Sequence, residues 1–274
     1  LFINLSSFLF KANIWKLNKL GILIIHSGVL LLLTGGFITG MFSNEGNMII
    51  AETETSNYIQ NTHEKEFTIV KEEGNNELEF INFDEDMLIP NNELSNPKLP
   101  FKIKILDYFI HSELNKNNKN DLLYKGIAKH AVLINKTPEK EYSQNISGIK
   151  YQINSENNDI NGIYISQIDN RKACHSIYVD SIKYILTLQR KRTYLPFKIE
   201  LKDFQRAIHP GTNIDKSFSS AVILHDDKVS KKFLIEMNVP LRHKGYTFYQ
   251  AEYAIGGGKE YTILAVVKNY GRLF

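Results

Sequence analysis

One stretch of 23 residues limits what this chain of 274 residues can fold into. Residues 20–42, LGILIIHSGVLLLLTGGFITGMF, contain no acidic or basic side chain apart from His26. As an α-helix the segment would extend about 34 Å, which is enough to cross the apolar core of a bilayer. A core helix of a soluble domain is rarely so long and so uniformly apolar. We therefore predict a transmembrane helix over residues 20–42, preceded by a flank at residues 1–19.

The charges on either side of this segment indicate its orientation. Lys11, Lys16 and Lys19 precede it, whereas residues 43–57 contain three glutamates and no lysine or arginine. Basic residues are enriched on the cytoplasmic side of membrane helices. We therefore predict that residues 1–19 are a cytoplasmic flank and that the chain after about residue 43 lies outside the cytoplasm.

His26 is the one ionisable side chain in the predicted span. It lies about 9 Å beyond the start of the helix, where an ionisable group is costly and is a candidate functional residue. Gly36 and Gly40 form a GxxxG pair on the same broad side of the helix, and such pairs let a second helix approach closely. Two interpretations stay open: His26 is a ligand in a site shared with a partner helix, or it is a structural histidine that is hydrogen-bonded to a neighbouring helix or reaches toward the lipid head groups.

Composition and motifs exclude several classes of function. A formal net charge of +3 gives no sign of a nucleic-acid surface. The single cysteine, Cys174, cannot form an internal disulfide, a CxxC redox pair or a CxxCH haem attachment site. The remaining histidines, His209 and His243 among them, show neither zinc-like spacing nor an HExxH motif, and no GxSxG sequence occurs. No independent catalytic site is evident, and the roles of His209 and His243 stay open.

After about residue 44 the chain is dominated by short alternating runs that are rich in Ile, Tyr, Phe and Val. Such runs are typical of β-strands. The predicted strands are 101–111, 162–168, 181–188, 197–204 and 260–267. The three glycines at 256–258 predict a hairpin that leads into the last of these strands.

The β-region also contains an internal repeat. LPFKIKILDY at 99–108 recurs as LPFKIELKDF at 195–204, 96 residues later, and AVL at 131–133 is echoed by AVI at 221–223. Two copies are too few for a solenoid. We predict a mainly β fold in which two related modules pack together as a sandwich or barrel-like pair.

The predicted modules meet near residue 190. We place the first extracytoplasmic β-module at residues 43–190 and the second at residues 191–274. The second module contains the aromatic strand, VPLRHKGYTFYQAEY, at residues 239–253.

Alternation in this strand places Tyr246, Phe248 and Gln250 on one face and Tyr249 on the other. One interpretation is that one face fills the core while the other packs against the second module. The other interpretation is that the outer face docks a partner protein. These four residues are therefore candidates for a partner-docking strand.

Four segments resemble the ResB/CcsB (ResB-like) component of System II cytochrome c biogenesis. They are LGILIIHSGVLLLLTGGFITG, LPFKIELKDFQRAIHPGT, MNVPLRHKGYTFYQAEY and YTILAVVKNYGRLF. The resemblance covers nearly the whole chain. Members of that family have further membrane helices before the equivalent of Leu1 and after that of Phe274, so the sequence is interpreted as a fragment lacking both.

The resemblance implies a role in haem delivery. Proteins of this family act with a CcsA-type membrane protein, separate or fused, in the bacterial cytoplasmic membrane. Together the two carry haem b across the membrane and support its covalent attachment to apocytochrome c, with a thioredoxin-like protein as thiol reductant. The tryptophan-rich haem-presenting segment belongs to the CcsA-type partner. His26 matches the family's membrane histidine, an axial ligand to the iron of incoming haem.

A second hypothesis assigns no haem ligation to the chain. It would then be a membrane-anchored β-domain that scaffolds a complex or holds apoprotein, with His26 merely structural. Under either hypothesis the expected partners are membrane lipid and proteins rather than nucleic acid.

Overall fold

The computed structural model of the chain describes residues 1–10, 15–42, 44–73, 77–117, 122–227 and 229–268. A short helix, α1 (Phe2–Leu9), precedes a long helix, α2 (Leu20–Phe42). Helix α2 has the bounds predicted from the sequence. It is long and apolar enough to span a membrane, and almost none of it is buried against the described chain. Its leucine and isoleucine side chains would face water if no bilayer surrounded them, which suggests that α2 is a membrane anchor.

Sixteen strands follow in the described residues. They are β1 (Asn44–Ala51), β2 (Thr55–Glu73), β3 (Glu77–Asp84), β4 (Glu93–Leu94), β5 (Phe101–Phe109), β6 (Ser112–Lys116), β7 (Ala131–Asn135), β8 (Gly148–Ser155), β9 (Gly162–Gln167), β10 (His175–Val179), β11 (Ile182–Ile208), β12 (Asp215–Asp226), β13 (Val229–Glu236), β14 (Leu241–His243), β15 (Tyr246–Gly256) and β16 (Lys259–Lys268). The prediction of a mainly β fold with one long apolar helix is confirmed.

The chain divides into two compact units. The anchored unit comprises Leu1–Ile59 and Tyr194–Phe274, and the inserted unit comprises Gln60–Thr193. Strand β2 leads from the first unit into the second, and β11 leads back. The second boundary lies near residue 193, and β1 belongs to the anchored unit together with the later part of the chain.

In the anchored unit the strand order is β13-β12-β11-β2-β1-β16-β15-β14. Strands β1, β11, β12 and β16 supply alternate inward side chains to one apolar core, and β2, β13, β14 and β15 each add one. The fully or nearly buried members are Met48, Ile50, Ile59, Leu195, Phe197, Ile199, Leu201, Phe204, Val222, Leu224, Ile235, Leu241, Phe248, Leu264 and Val266. Alternation of this kind specifies the strand register, because a slip of one residue would expose the whole set.

The inserted unit packs two sheets face to face. In one, β10 pairs with the first part of β11 and β3 pairs with β2; the other has the order β4-β5-β8-β9. Side chains from both sheets meet in one apolar cluster, in which the Phe67 and Tyr151 rings pack edge to face with centroids 4.9 Å apart. The β6–β7 hairpin adds a smaller cluster around Leu133 and Ile165. This sandwich-like arrangement, with open sheets among the described residues, agrees with the predicted fold class.

The repeat is visible in the geometry of two strands. Strand β5 pairs with β8 with a register shift between Ile105 and Asp107, and β11 pairs with β12 with a shift between Leu201 and Asp203. Each residue of the second pair lies 96 positions after its counterpart, which is the offset of the sequence repeat. A β-bulge at the same place in both copies supports a duplication, because bulges are specific features of a fold.

The weaker echo between AVL (131–133) and AVI (221–223) has no structural counterpart. AVL begins β7, which pairs with β6, whereas AVI lies in β12 and pairs with the repeat strand β11 itself. The partner of the first repeat strand is β8 instead. Strand composition alone produced this match.

Strand boundaries were the least accurate part of the prediction. The predicted strands 181–188 and 197–204 are parts of one strand of 27 residues, β11. The sequence between them has no glycine, and Pro196 occupies an exposed position within the strand. No strand was named between residues 44 and 100, where β1 to β4 lie, because polar side chains interrupt the alternation there.

The predicted glycine hairpin is confirmed. Gly256 pairs with Lys259, so Gly257 and Gly258 form a two-residue turn between β15 and β16. Their φ angles are +61° and +76°. Two consecutive positive φ values are typical of a type I′ turn, which side chains disfavour and glycine tolerates.

A buried histidine in the inserted unit predicts acid sensitivity. His175 is buried, and its Nε2 lies 2.7 Å from the carbonyl oxygen of Ile165. Burial lowers the pKa of the imidazole, and this hydrogen bond only partly offsets the effect. Below about pH 6.5 the unfolded chain therefore binds a proton that the folded chain does not, and stability falls as the pH falls towards the folded pKa.

We expect the unfolding free energy of the chain to fall between about pH 7 and pH 5.5, and His175→Gln to reduce that loss. The measurement is denaturant unfolding of the detergent-solubilised chain at several pH values. His130→Gln, at an exposed position, is the control and should keep the native pH dependence. An equal pH dependence in His175→Gln and the native chain would contradict the expectation.

Candidate functional site

Helix α2 holds His26 between one and two turns from its start at Leu20. A 3₁₀ turn over Leu17–Lys19 leads directly into the helix. Apart from Ser27, the side chains next to His26 in α2 are apolar, so the imidazole is the one ionisable group in an apolar segment. Such a group needs a partner, because burial of an unpaired polar group in hydrocarbon is costly.

A hydrogen bond within α2 fixes the tautomer of His26. Its Nδ1 lies 2.8 Å from the carbonyl oxygen of Ile22, one turn earlier. A carbonyl oxygen can only accept, so Nδ1 carries the proton and Nε2 keeps its lone pair. Metal-ligating histidines commonly show this arrangement, in which one nitrogen donates to a carbonyl and the other coordinates. The residues present therefore fit coordination of a haem iron by Nε2.

A second contact comes from α1. The rings of Phe8 and His26 are stacked with centroids 4.4 Å apart and planes 28° apart. This contact covers a face of the imidazole, whereas the lone pair of Nε2 lies in the ring plane. Within the described residues, no hydrogen bond joins His26 to another helix; the one it makes is to its own helix.

The two glycines of the GxxxG pair are exposed. A Cβ atom built at Gly36 or Gly40 would have no heavy atom within 4 Å in the described part of the chain. The surface is thus open to another helix. Packing of a partner helix there stays a prediction.

The aromatic strand places only some of its side chains in the core. Phe248 is fully buried and, with the half-buried Tyr246, packs edge to face against Phe197 at centroid distances of 6.1 Å. Gln250 is also buried, whereas Tyr249 is 40% exposed. Phe248 and Gln250, which alternation places on one face, are thus both buried, although Thr247 on the other face is buried as well. Among the four candidate docking residues, Tyr249 is the one whose side chain a partner could contact extensively.

Gln250 belongs to a buried polar network in the anchored unit. Ser220 Oγ donates to Gln250 Oε1 over 2.6 Å and lies 2.9 Å from Thr262 Oγ1, while Gln250 Nε2 donates to Thr262 Oγ1 over 3.0 Å. The network joins β12 to β15 and β16. The polar groups are satisfied by one another, so the reason for a glutamine among aromatic residues is structural.

The histidines outside the membrane helix have separate surroundings. His209 is exposed in a turn that Thr212 closes by donating its backbone N–H to the carbonyl of His209. His243 Nε2 lies 2.8 Å from Asp226 Oδ2, and its ring packs against Phe197. Among the described residues, no group of three or more His, Cys, Asp or Glu side chains could hold a metal ion.

Three side-chain contacts involving histidines could not be predicted from the sequence. They are the stacking of Phe8 on His26, the His243–Asp226 pair and a His225–Glu200 pair at 2.9 Å. The residues of the last two pairs lie on different strands, either far apart in the sequence or diagonally opposite on neighbouring strands. Phe8 lies 18 residues before His26, across a segment whose conformation the sequence did not specify.

Comparison with protein families decides the assignment. The sequence pattern of the ResB-like family matches residues 11–87 and 164–271, which is more than half of the chain. The chain belongs to the ResB-like family. Membership implies involvement in cytochrome c biogenesis and agrees with the membrane anchor. A search of curated proteins gave no match.

The matched ResB-like segments contain both candidate regions. The first includes α2 with His26, and the second includes the aromatic strand β15. The unmatched stretch between them, residues 88–163, lies wholly in the inserted unit. The family pattern therefore covers the strands that build the anchored unit.

Proposed function

We propose that this chain is a haem-handling subunit of cytochrome c biogenesis. With a CcsA-type membrane protein, it would carry haem b, as cargo, across the bacterial cytoplasmic membrane and support its attachment to apocytochrome c. The observation that carries the proposal is the geometry of His26: an imidazole in the membrane helix whose Nδ1 donates to Ile22 while Nε2 keeps its lone pair.

The residues around His26 have defined tasks in this proposal. Nε2 supplies the electron pair to the haem iron, and the carbonyl of Ile22 keeps the proton on Nδ1. Apart from Ser27, the neighbouring side chains of α2 are apolar, and together with lipid they keep water away from the coordinating nitrogen. Bond formation to the cytochrome thiols belongs to the complex, with the CcsA-type subunit presenting the haem and a thioredoxin-like protein supplying reductant.

Haem copurification is the direct test of this proposal. The complex of this chain and its CcsA-type partner should copurify with haem, and His26→Ala should remove it while leaving assembly of the complex intact. If the His26→Ala complex keeps its haem, the scaffold hypothesis is favoured, in which the chain only holds proteins together.

The proposed orientation places α1 in the cytoplasm and the two β-units on the periplasmic side. It rests on Lys16 and Lys19; Lys11, which also contributed to the prediction, lies outside the described residues. A membrane-impermeant thiol reagent should label an introduced cysteine at exposed Lys216 in intact cells, and one at exposed Asn18 only after permeabilisation. The native Cys174 is first replaced by serine. The reverse labelling pattern would overturn the orientation.

A further inference from the structure

We infer that Phe8 is a positioning residue for haem at His26, fixing the rotational position of the imidazole. The inference rests on the proposed function and extends the site from α2 to α1.

One hydrogen bond leaves the imidazole incompletely fixed. The bond from Nδ1 to Ile22 fixes one atom of the ring. The terminal torsion of a histidine side chain is broad, so the ring plane can still turn about that contact. The stacked ring of Phe8, with its centroid 4.4 Å from that of His26, restricts this rotation. Two contacts from different helices thus define both the tautomer and the plane of one ligand side chain.

The plane of an axial imidazole matters for a bound haem. When an imidazole coordinates a haem iron, the plane of the haem crosses the plane of the imidazole. The rotation of the imidazole about the iron–nitrogen bond then affects the splitting of the iron d orbitals. Fixing this rotation before binding also lowers the ordering cost of ligation. Phe8 can therefore influence both affinity and electronic structure without touching the iron.

Simple packing is the competing explanation for the contact. Any large apolar side chain at position 8 would fill the space beside α2, but only an aromatic ring would hold the imidazole plane by stacking. Phe10 provides a matched control, because it has the same side chain, ends the same helix and is 87% exposed.

The experiment compares Phe8→Leu, Phe8→Tyr and Phe10→Leu in the solubilised complex with the CcsA-type partner. Each is titrated with haemin, and the ferric product is examined by electron paramagnetic resonance. We expect Phe8→Leu to bind haemin about 3- to 10-fold more weakly and to broaden or split the low-spin signal. Phe8→Tyr should restore the native affinity and spectrum, and Phe10→Leu should match the native complex.

Two results would overturn the inference: a native spectrum in Phe8→Leu, whatever its affinity, or an altered spectrum in Phe8→Tyr. Leucine keeps most of the apolar volume of phenylalanine, so Phe8→Leu should leave the packing of α1 on α2 intact. A loss of haemin affinity in this variant then arises from the missing ring rather than from poor assembly of the helices. His26→Ala is measured in parallel. If His26→Ala loses haem while Phe8→Leu keeps the native spectrum, only the positioning role of Phe8 is contradicted. If His26→Ala keeps its haem, the proposed function is contradicted as well.

Discussion

Replacing His26 by glycine is expected to reduce haem copurification and cytochrome c maturation by more than about 10-fold. Glycine supplies no nitrogen to the iron but leaves a cavity of the size of the lost side chain. Added imidazole should enter this cavity and restore part of both activities, because it provides the same ligand atom. Haem content by absorbance spectroscopy and the yield of covalent cytochrome c are the two measurements.

The same helix offers a contrasting variant. A leucine at exposed Gly36 would push away a helix packed on the GxxxG pair, so Gly36→Leu should weaken both assembly of the complex and haem binding. Imidazole should not restore either activity, because the ligand is still present. If His26→Gly retains its haem, or if imidazole rescues the two variants equally, the ligand role of His26 is contradicted.

Truncation of two neighbouring aromatic residues in β15 should reduce stability by very different amounts. Phe248→Ala removes a fully buried ring from the core of the anchored unit and should cost about 3–5 kcal/mol of unfolding free energy. Tyr249→Ala removes a side chain that is 40% exposed and should change stability by about 0.5 kcal/mol or less. Denaturant unfolding of the detergent-solubilised chain compares the two directly.

The pair also tests the docking hypothesis. If the outer face of β15 contacts a partner, Tyr249→Ala should lower the amount of CcsA-type protein or apocytochrome c recovered with the chain, at unchanged stability. Unchanged recovery of both partners would leave Tyr249 without a docking role. A loss of stability in Tyr249→Ala comparable to that in Phe248→Ala would contradict the burial difference between them.

The membrane helix was predictable to the residue because its signal is local. An uninterrupted apolar run specifies a helix without reference to any other part of the chain, and the loss of that run at Asn44 coincides with the first strand. The inward face of β15 was predictable for a similar reason, since a period of two assigns Phe248 and Gln250 to one face. The glycine turn at Gly257 and Gly258 required only the tolerance of glycine for positive φ.

Features that depend on distant contacts were not predictable. The division into units depends on pairing of β1 with β16, which are more than 200 residues apart. The length of β11 depends on different partners along the strand: β10 pairs with its first part, whereas β12 pairs with its last. At the candidate site, the sequence identified His26 but could not specify the Ile22 carbonyl or the Phe8 ring as its neighbours.

The junction of helix and sheet has a mechanical consequence. One residue separates Phe42 at the end of α2 from Asn44 at the start of β1, and β1 pairs along its full length of eight residues with β16. A single residue adds at most about 3.6 Å of chain, so the end of α2 cannot move away from the start of β1 by much more than that distance. A larger displacement must pull on the β1–β16 ladder. Asn44 pairs there with Lys268, which is the last described residue. A coupling of this kind would transmit a pull along the membrane helix directly to the sheet of the anchored unit.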